Sequence, residues 1–255
     1  MDLALKDYIS DSQANTRQPL DPYFKRLCMS QIKLFLFSGH DTTSASVCYH
    51  LYLLSIYPNV LAEVKAEHDR ILTANVKQAA ELITQDPSLL NKLPYTTAII
   101  KESMRLFPAV SSVRIGEPSY SVSDEHGHHL PTEDFLVWSC SQSIHCDPTY
   151  WPRPTEFLPE RWLVGPDDPL YPIKGAWRAF EHGPRNCIGQ ELAMLEMKVI
   201  LCLYCRTYSL EDCYAEIDAR TPGRRPMVEG ERAYQVQRSQ PDGDLPCRIV
   251  KARAR

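Results

Sequence analysis

The residues of this chain best placed to do chemistry lie in the run Phe180-Glu181-His182-Gly183-Pro184-Arg185-Asn186-Cys187-Ile188-Gly189, where one thiol stands among glycines and a guanidinium. Beyond it, Ile188, Leu192, Leu195, Val199 and Leu203 step by four, three, four and four, the spacing of an apolar helical stripe. That spacing predicts Cys187 at a helix N-terminus. Free amides and the positive dipole end there favour thiolate over thiol, and the thiolate is the form that binds metal. Gly183 and Gly189 let backbone approach a flat ligand and take up conformations closed to other residues. Pro184 stiffens the loop. Arg185 carries a permanent charge on a planar fork suited to a carboxylate. Taken alone, a single cysteine can equally be an inert packing residue.

Two further groupings combine charge and hydroxyls. Ser38-Gly39-His40-Asp41-Thr42-Thr43 sets a glycine, an acid and hydroxyls into an otherwise good helix, where glycine and threonine weaken it. It reads as a polar site or as a plain kink. Glu102-Ser103-Met104-Arg105 puts an acid and a base on one helix face at i and i+3. Alone, such a pair is usually a surface ion pair of small worth.

Phe-x-x-Gly-x-Arg-x-Cys-x-Gly, met at Phe180, Gly183, Arg185, Cys187 and Gly189, resembles the cysteine-ligand loop of the haem-thiolate monooxygenases, the cytochromes P450. The resemblance implies haem b held by the Cys187 thiolate as axial iron ligand, with Arg185 meeting one propionate and Arg114 either meeting the second or standing as a solvent-exposed arginine. Gly39, Asp41 and Thr42 match the family's Gly-x-Asp/Glu-Thr, although Ser38 stands where Ala or Gly is more usual. It implies that Thr42 holds bound dioxygen while Asp41 relays protons. Glu102 and Arg105 match the family's Glu-x-x-Arg pair, and Pro159-Glu160-Arg161-Trp162 supplies the arginine that joins it. That network is expected to shape the cysteine loop and to take no part in catalysis.

The implied activity is insertion of one oxygen atom from O₂ into a small apolar substrate, with electrons from an NADPH-dependent reductase. Substrate contacts are expected from Leu34 and Phe35, Val110 to Val113 and the region of Ala233. The wording of the motifs is similar to fungal members that modify secondary metabolites. The resemblance covers only the C-terminal half of the family fold. The alternative is a truncated, non-catalytic fragment, or a haem-binding module without oxygenase activity.

Other segments must position these residues. Leu3 to Ile9 reads as a short helix. Asp21-Pro22 reads as an N-cap and first helical residue, and no proline follows until Pro58, which predicts one long helix over about 22–57 crossing the interior. Two amphipathic helices follow over 59–85, and Pro94 opens the Glu-x-x-Arg helix, 94–107. Val110 to Val137 reads as a small sheet with hairpins. Eight of the 20 prolines fall between Pro148 and Pro184, which excludes regular helix or central strand. The resemblance makes this span, 148–189, the family's meander and cysteine loop, anchored by Trp151, Phe157, Trp162 and Trp177. A helix over 188–206 and strand-like pieces at Ala233 to Gln237 and Cys247 to Val250 complete the chain. The class is mainly α with small β-sheets (α+β), in one partial domain over 1–255.

Composition bounds the rest. A net charge of −4 with 24% charged residues gives no electrostatic case for nucleic acid. Nine cysteines are an odd number in a chain that is not small and opens without a secretory signal, so a reducing, intracellular compartment is expected. No apolar run approaches the ~20 residues that cross a bilayer. The endoplasmic reticulum membrane is expected only for a full-length family member with an N-terminal anchor. Asp124-Glu125-His126-Gly127-His128-His129 invites a zinc reading, yet its turn residues suit a solvated hairpin tip. Cys202 and Cys205 mimic Cys-x-x-Cys on an apolar helix, where core packing is expected.

Overall fold

The computed structural model describes residues 21–220 and 245–251. The expected helix at Leu3 to Ile9, the strand at Ala233 to Gln237 and the substrate contact near Ala233 lie outside these residues. The chain divides into two units, Met1–His40 and Asp41–Arg255.

Helix α1, Pro22–Ile56, starts where Asp21 Oδ2 accepts the Phe24 amide at 2.8 Å, and stops short of Pro58. In the first unit the described residues are this helix with its cap. Leu34, Phe35, Leu36 and Phe37 are 54–69% exposed there. An all-round apolar helix needs cover on every side, and a single helix cannot cover itself.

The second unit holds the core. From Thr43 onward α1 is buried at Ala45, Ser46, Tyr49, His50, Leu53 and Leu54. Helix α2 (Pro58–Leu72) opens on its proline, and α3 (Val76–Gln85) is capped by Asn75, whose side chain accepts the Lys77 and Gln78 amides at 3.0 and 3.3 Å. A 3-10 turn over Pro87–Lys92 leads to α4, Pro94–Leu106. The residue before α4, Leu93, cannot cap it. Glu67 of α2 does so from another helix, accepting the Tyr95 and Thr96 amides at 2.8 Å each and the Thr96 hydroxyl at 2.6 Å.

Strands β1 (Ser112–Ile115) and β4 (Leu136–Ser139) pair antiparallel, Ser112 opposite Ser139 and Arg114 opposite Val137. Strands β2 (Ser121–Ser123) and β3 (His129–Pro131) form a second pair. Their turn carries the His/Asp cluster in the open, with His128 Nδ1 2.8 Å from Asp124 Oδ2. Gly116 follows β1 because a Cβ there would lie 1.6 Å from the Thr132 carbonyl oxygen.

Helix α5 (Ser141–His145) leads into the proline-rich span, whose regular structure is limited to 3-10 turns at Pro159–Trp162 and Gly183–Arg185. Helix α6, Gln190–Thr207, runs into β5 (Tyr208–Asp212), which pairs with β6 (Cys247–Lys251), and α7 (Tyr214–Arg220) lies between these strands in sequence. Neither β5 nor α7 was evident from the sequence. Met197, Leu201 and Cys205 of α6 meet Tyr49, Leu53, Ile99 and Ile100 in one core cluster, and Cys202 joins Leu72, Ala79, Leu90 and Leu93 in another. Burial pushes the thiols of Cys202 and Cys205 up to about 12 each. All nine cysteines are free. This is an α+β architecture, mainly helical with small antiparallel sheets.

Candidate functional site: the cysteine loop and its supports

Helix α4 supplies the rigid base. Glu102, Arg105 and Arg161 are all fully buried. Glu102 Oε1 accepts from Arg105 Nη2 at 2.8 Å, Arg161 Nε at 3.0 Å and the Leu158 amide at 3.1 Å. Its Oε2 accepts from Arg105 Nε and from the Trp162 indole, each at 3.0 Å. Arg105 Nη1 reaches the His145 and Pro154 carbonyls at 2.7 and 2.6 Å, and Arg161 donates to the Pro152 carbonyl at 3.2 Å. Two buried cations around one carboxylate are tolerable only because their remaining N–H groups find carbonyls of the proline-rich span. The backbone bonds within that span are mostly local turns, such as Glu156 to Arg153 and Leu163 to Glu160, and the guanidinium forks tie those turns to α4.

Aromatic rings continue from this base toward the thiol. Trp151, Trp162, Trp177 and Phe180 stand ring to ring at centroid distances of 5.8, 5.6 and 5.9 Å. Lys101 Nζ lies over the rings of Trp162 and Trp177, and the Trp177 indole donates to the Lys101 carbonyl at 3.1 Å. Phe180 is half-buried against the core, which anchors the near end of the loop.

The loop closes on itself where the Phe180 carbonyl accepts the Cys187 amide at 2.9 Å. Gly183 has φ +79°, a left-handed conformation that suits glycine. Helix α6 begins at Gln190, two residues after the expected start at Ile188, so Cys187 precedes the helix cap at Gly189. The Cys187 carbonyl accepts the Gln190 amide at 3.4 Å, a turn that leads the backbone into the helix. A Cβ on Gly189 would lie 3.9 Å from Cys187 Sγ, and with φ −89° Gly189 needs no special conformation. Cys187 and Arg185 are both exposed.

The remaining expected site residues are less tightly held. Asp41 and Thr42 are half-buried on α1, and their carbonyls accept the hydroxyls of Ser44 and Ser46 at 3.1 and 2.9 Å. Such back-bonding hydroxyls weaken a helix locally. Arg114 is exposed and donates to the Val113 carbonyl at 2.9 Å.

Sequence reasoning passed over three residues that tie the loop down. His145 is fully buried, its Nδ1 2.9 Å from the Arg105 carbonyl and its Nε2 2.8 Å from the Arg178 amide nitrogen. Since an amide can only donate and a carbonyl only accept, the ring is neutral with its proton on Nδ1. Burial pushes its pKa down to about 4. Arg178 Nε and Nη2 donate to Glu181 Oε2 at 2.9 and 2.5 Å. Glu181 has φ +57°, uncommon for a residue with a side chain. Its Oε1 is buried, and the hydroxyls of Ser139 and Ser112 act on the carboxylate together with Arg178. Burial raises the Glu181 pKa, but Arg178 and these hydroxyls outweigh it and hold the group below its ordinary range. A histidine in a short helix and an acid in a glycine-rich loop carry no sequence signal for such roles.

Comparison with known proteins agrees with the motifs. The family model "Cytochrome P450" matches residues 9–230, and the chain belongs to that family. It is 40% identical over 253 residues to the cytochrome P450 monooxygenase polC of Polytolypa hystricis, covering 97% of this chain and 46% of that protein. It is 36% identical over 258 residues to the cytochrome P450 monooxygenase acrF of Aspergillus aculeatus, covering 92% and 52% respectively. The chain thus spans about half the length of these curated relatives. A further relative, the cytochrome P450 monooxygenase PC-23 of Penicillium crustosum, is 34% identical over 208 residues, which are 80% of this chain and 98% of that protein. The fold is accordingly that of the C-terminal half of a cytochrome P450.

The loop can be tested against the haem that the family implies. Among the described residues no group of three His, Cys, Asp or Glu side chains is placed to hold a metal ion. An exposed thiol, the apolar Ile188 and Leu192 at 89% and 69% exposure, and the exposed Arg185 cation together match a flat apolar ring with acidic substituents. The residues fit haem. Among the described residues no helix is long and apolar enough to cross a membrane.

Proposed function

We propose that this chain supplies the haem-holding half of a haem-thiolate monooxygenase acting on a small apolar organic substrate. The observation that carries the reading is Cys187 itself, exposed in a loop whose path is fixed through Phe180 to a fully buried ionic network. Cys187 would be the axial ligand, with Arg185 and Arg114 directed to the propionates and Phe180, Gly183 and Gly189 shaping the loop. Haem b, when bound, supplies dioxygen activation and transfer of one oxygen atom. Asp41 would hand protons inward from solvent and Thr42 would hold them at its hydroxyl near the reacting oxygen. Glu102, Arg105 and Arg161 would keep the loop in place without touching substrate. Domain limits follow the same reading, with one partial domain over 1–255 that includes the long helix, the Glu-x-x-Arg helix and the cysteine loop.

Electrons would come from an NADPH-dependent reductase, and Val110 to Val113 would face the substrate. The monooxygenase names of the relatives support the activity, and their fungal sources support a role in secondary metabolism. They do not favour a non-catalytic fragment. A full-length product would sit at the endoplasmic reticulum membrane. The test is to express the chain with haem supply, reduce it, add carbon monoxide and record the difference spectrum. A thiolate-shifted Soret band that disappears in Cys187→Ala is expected. Absence of haem uptake, or the same band in the alanine variant, would overturn the proposal.

A further inference from the structure

We infer that His145 is a positioning residue for Cys187, the joint through which the ionic network on α4 fixes the cysteine loop. The inference rests on the proposed role of Cys187 for its functional meaning and on hydrogen bonds alone for its geometry. His145 and Arg105 are locked twice, since the Arg105 guanidinium donates to the His145 carbonyl at 2.7 Å and the His145 ring donates to the Arg105 carbonyl at 2.9 Å. The second bond also satisfies a carbonyl in the last turn of α4, where no helical partner exists. On its far side the ring accepts the Arg178 amide at 2.8 Å. One neutral imidazole thus joins the end of a rigid helix to the backbone that enters the loop.

Only Ala179 lies between Arg178 and Phe180, whose carbonyl holds the Cys187 amide at 2.9 Å. The Arg178 side chain closes the same short segment through Glu181, whose φ of +57° has to be held by its surroundings. The order of support is therefore Glu102, Arg105, His145, Arg178 and Glu181, then Cys187. Lysine or arginine in place of His145 could donate but not accept, and leucine could do neither. Glutamine can do both, through its amide nitrogen and its carbonyl oxygen.

The test reads amide hydrogen exchange at Arg178 and Cys187 in the full chain, before haem is added, for the unchanged protein, His145→Leu, His145→Gln and Glu181→Ala. Losing both hydrogen bonds of the ring, one of them the acceptor of the Arg178 amide, is expected to speed exchange at both amides about tenfold or more in His145→Leu, with α2 and α3 keeping their protection, and glutamine is expected to restore most of it. Glu181→Ala lies in a less buried place and tests the same chain of support should the leucine variant not fold; it is expected to speed exchange at Cys187. After haem loading, the leucine variant is expected to lose thiolate-shifted Soret intensity in proportion. Unchanged exchange at Cys187 in the leucine variant, or in Glu181→Ala where leucine does not fold, would overturn the inference, as would faster exchange spread evenly over α2 and α3. If the unchanged protein shows no thiolate band while the exchange results hold, the haem reading fails and the joint stands.

Discussion

Acid should unfold this protein well above the pH at which its carboxylates protonate, and His50 should be a principal cause. The His50 ring is fully buried between α1 and α6, with Nε2 3.1 Å from Met197 Sδ and Nδ1 without a hydrogen-bond partner. Burial pushes its pKa from 6.5 down to about 3, so the folded protein keeps the ring neutral where the unfolded chain takes up a proton. The folded pKa is the depressed one, so stability falls as pH drops below 6.5 and levels off only near 3. Between pH 7 and pH 5 the loss is about 2 kcal/mol for this one group, at 1.36 kcal/mol per unit. His68 and His145, each pushed to about 4 mainly by burial, act in the same direction. Together the three remove about 6 kcal/mol over that range, comparable to the whole stability of a typical domain. His50→Leu fills similar space, leaves no orphaned nitrogen and cannot be protonated. Urea unfolding at pH 7 and pH 5 should show the leucine variant equal or slightly more stable at pH 7 and about 2 kcal/mol less sensitive to acid. An identical acid sensitivity in both proteins would refute the reasoning.

Two further substitutions probe the supports. Glu102→Leu leaves Arg105 and Arg161 buried without their shared carboxylate and should cost about 3–5 kcal/mol, read as loss of soluble protein or a lowered unfolding midpoint; a soluble variant with the original midpoint would contradict the account of the ionic network. Glu67→Ala removes the cap that α2 provides to α4 and should cost about 1–3 kcal/mol in urea unfolding at pH 7, with faster amide exchange confined to Tyr95 and Thr96.

What the sequence made legible was local. Asp21-Pro22 announced the start of α1 because a cap and a proline act within one turn, and Asn75, unnoticed among polar residues, caps α3 by the same chemistry. Glu102 and Arg105 were visible as neighbours three residues apart, but spacing could not say whether they were solvated or buried. Arg161 joined them only by resemblance, since 59 residues separate it from Glu102. The helix after the thiol was visible from its apolar stripe, and it starts two residues later than that stripe implied. Ile188 fits the period while standing outside the helix at 89% exposure, and a periodic pattern does not mark where hydrogen bonding begins.

The supports that sequence reasoning missed share one physical character. Glu67 caps a helix 28 residues away, and His145 receives an amide 33 residues away. In each case a buried polar side chain satisfies backbone that has no local partner, and the need arises only when the fold has removed water from both. Glu181 shows the same from the other side. Its left-handed backbone would suggest glycine, and the carboxylate instead gains a salt bridge to Arg178 that helps to hold that conformation. The thiol to which the proposed chemistry is assigned can therefore be read from its own ten-residue run. The rigidity that would make it a metal ligand is distributed over α4, α5 and the proline-rich span, and emerges only when those elements are packed.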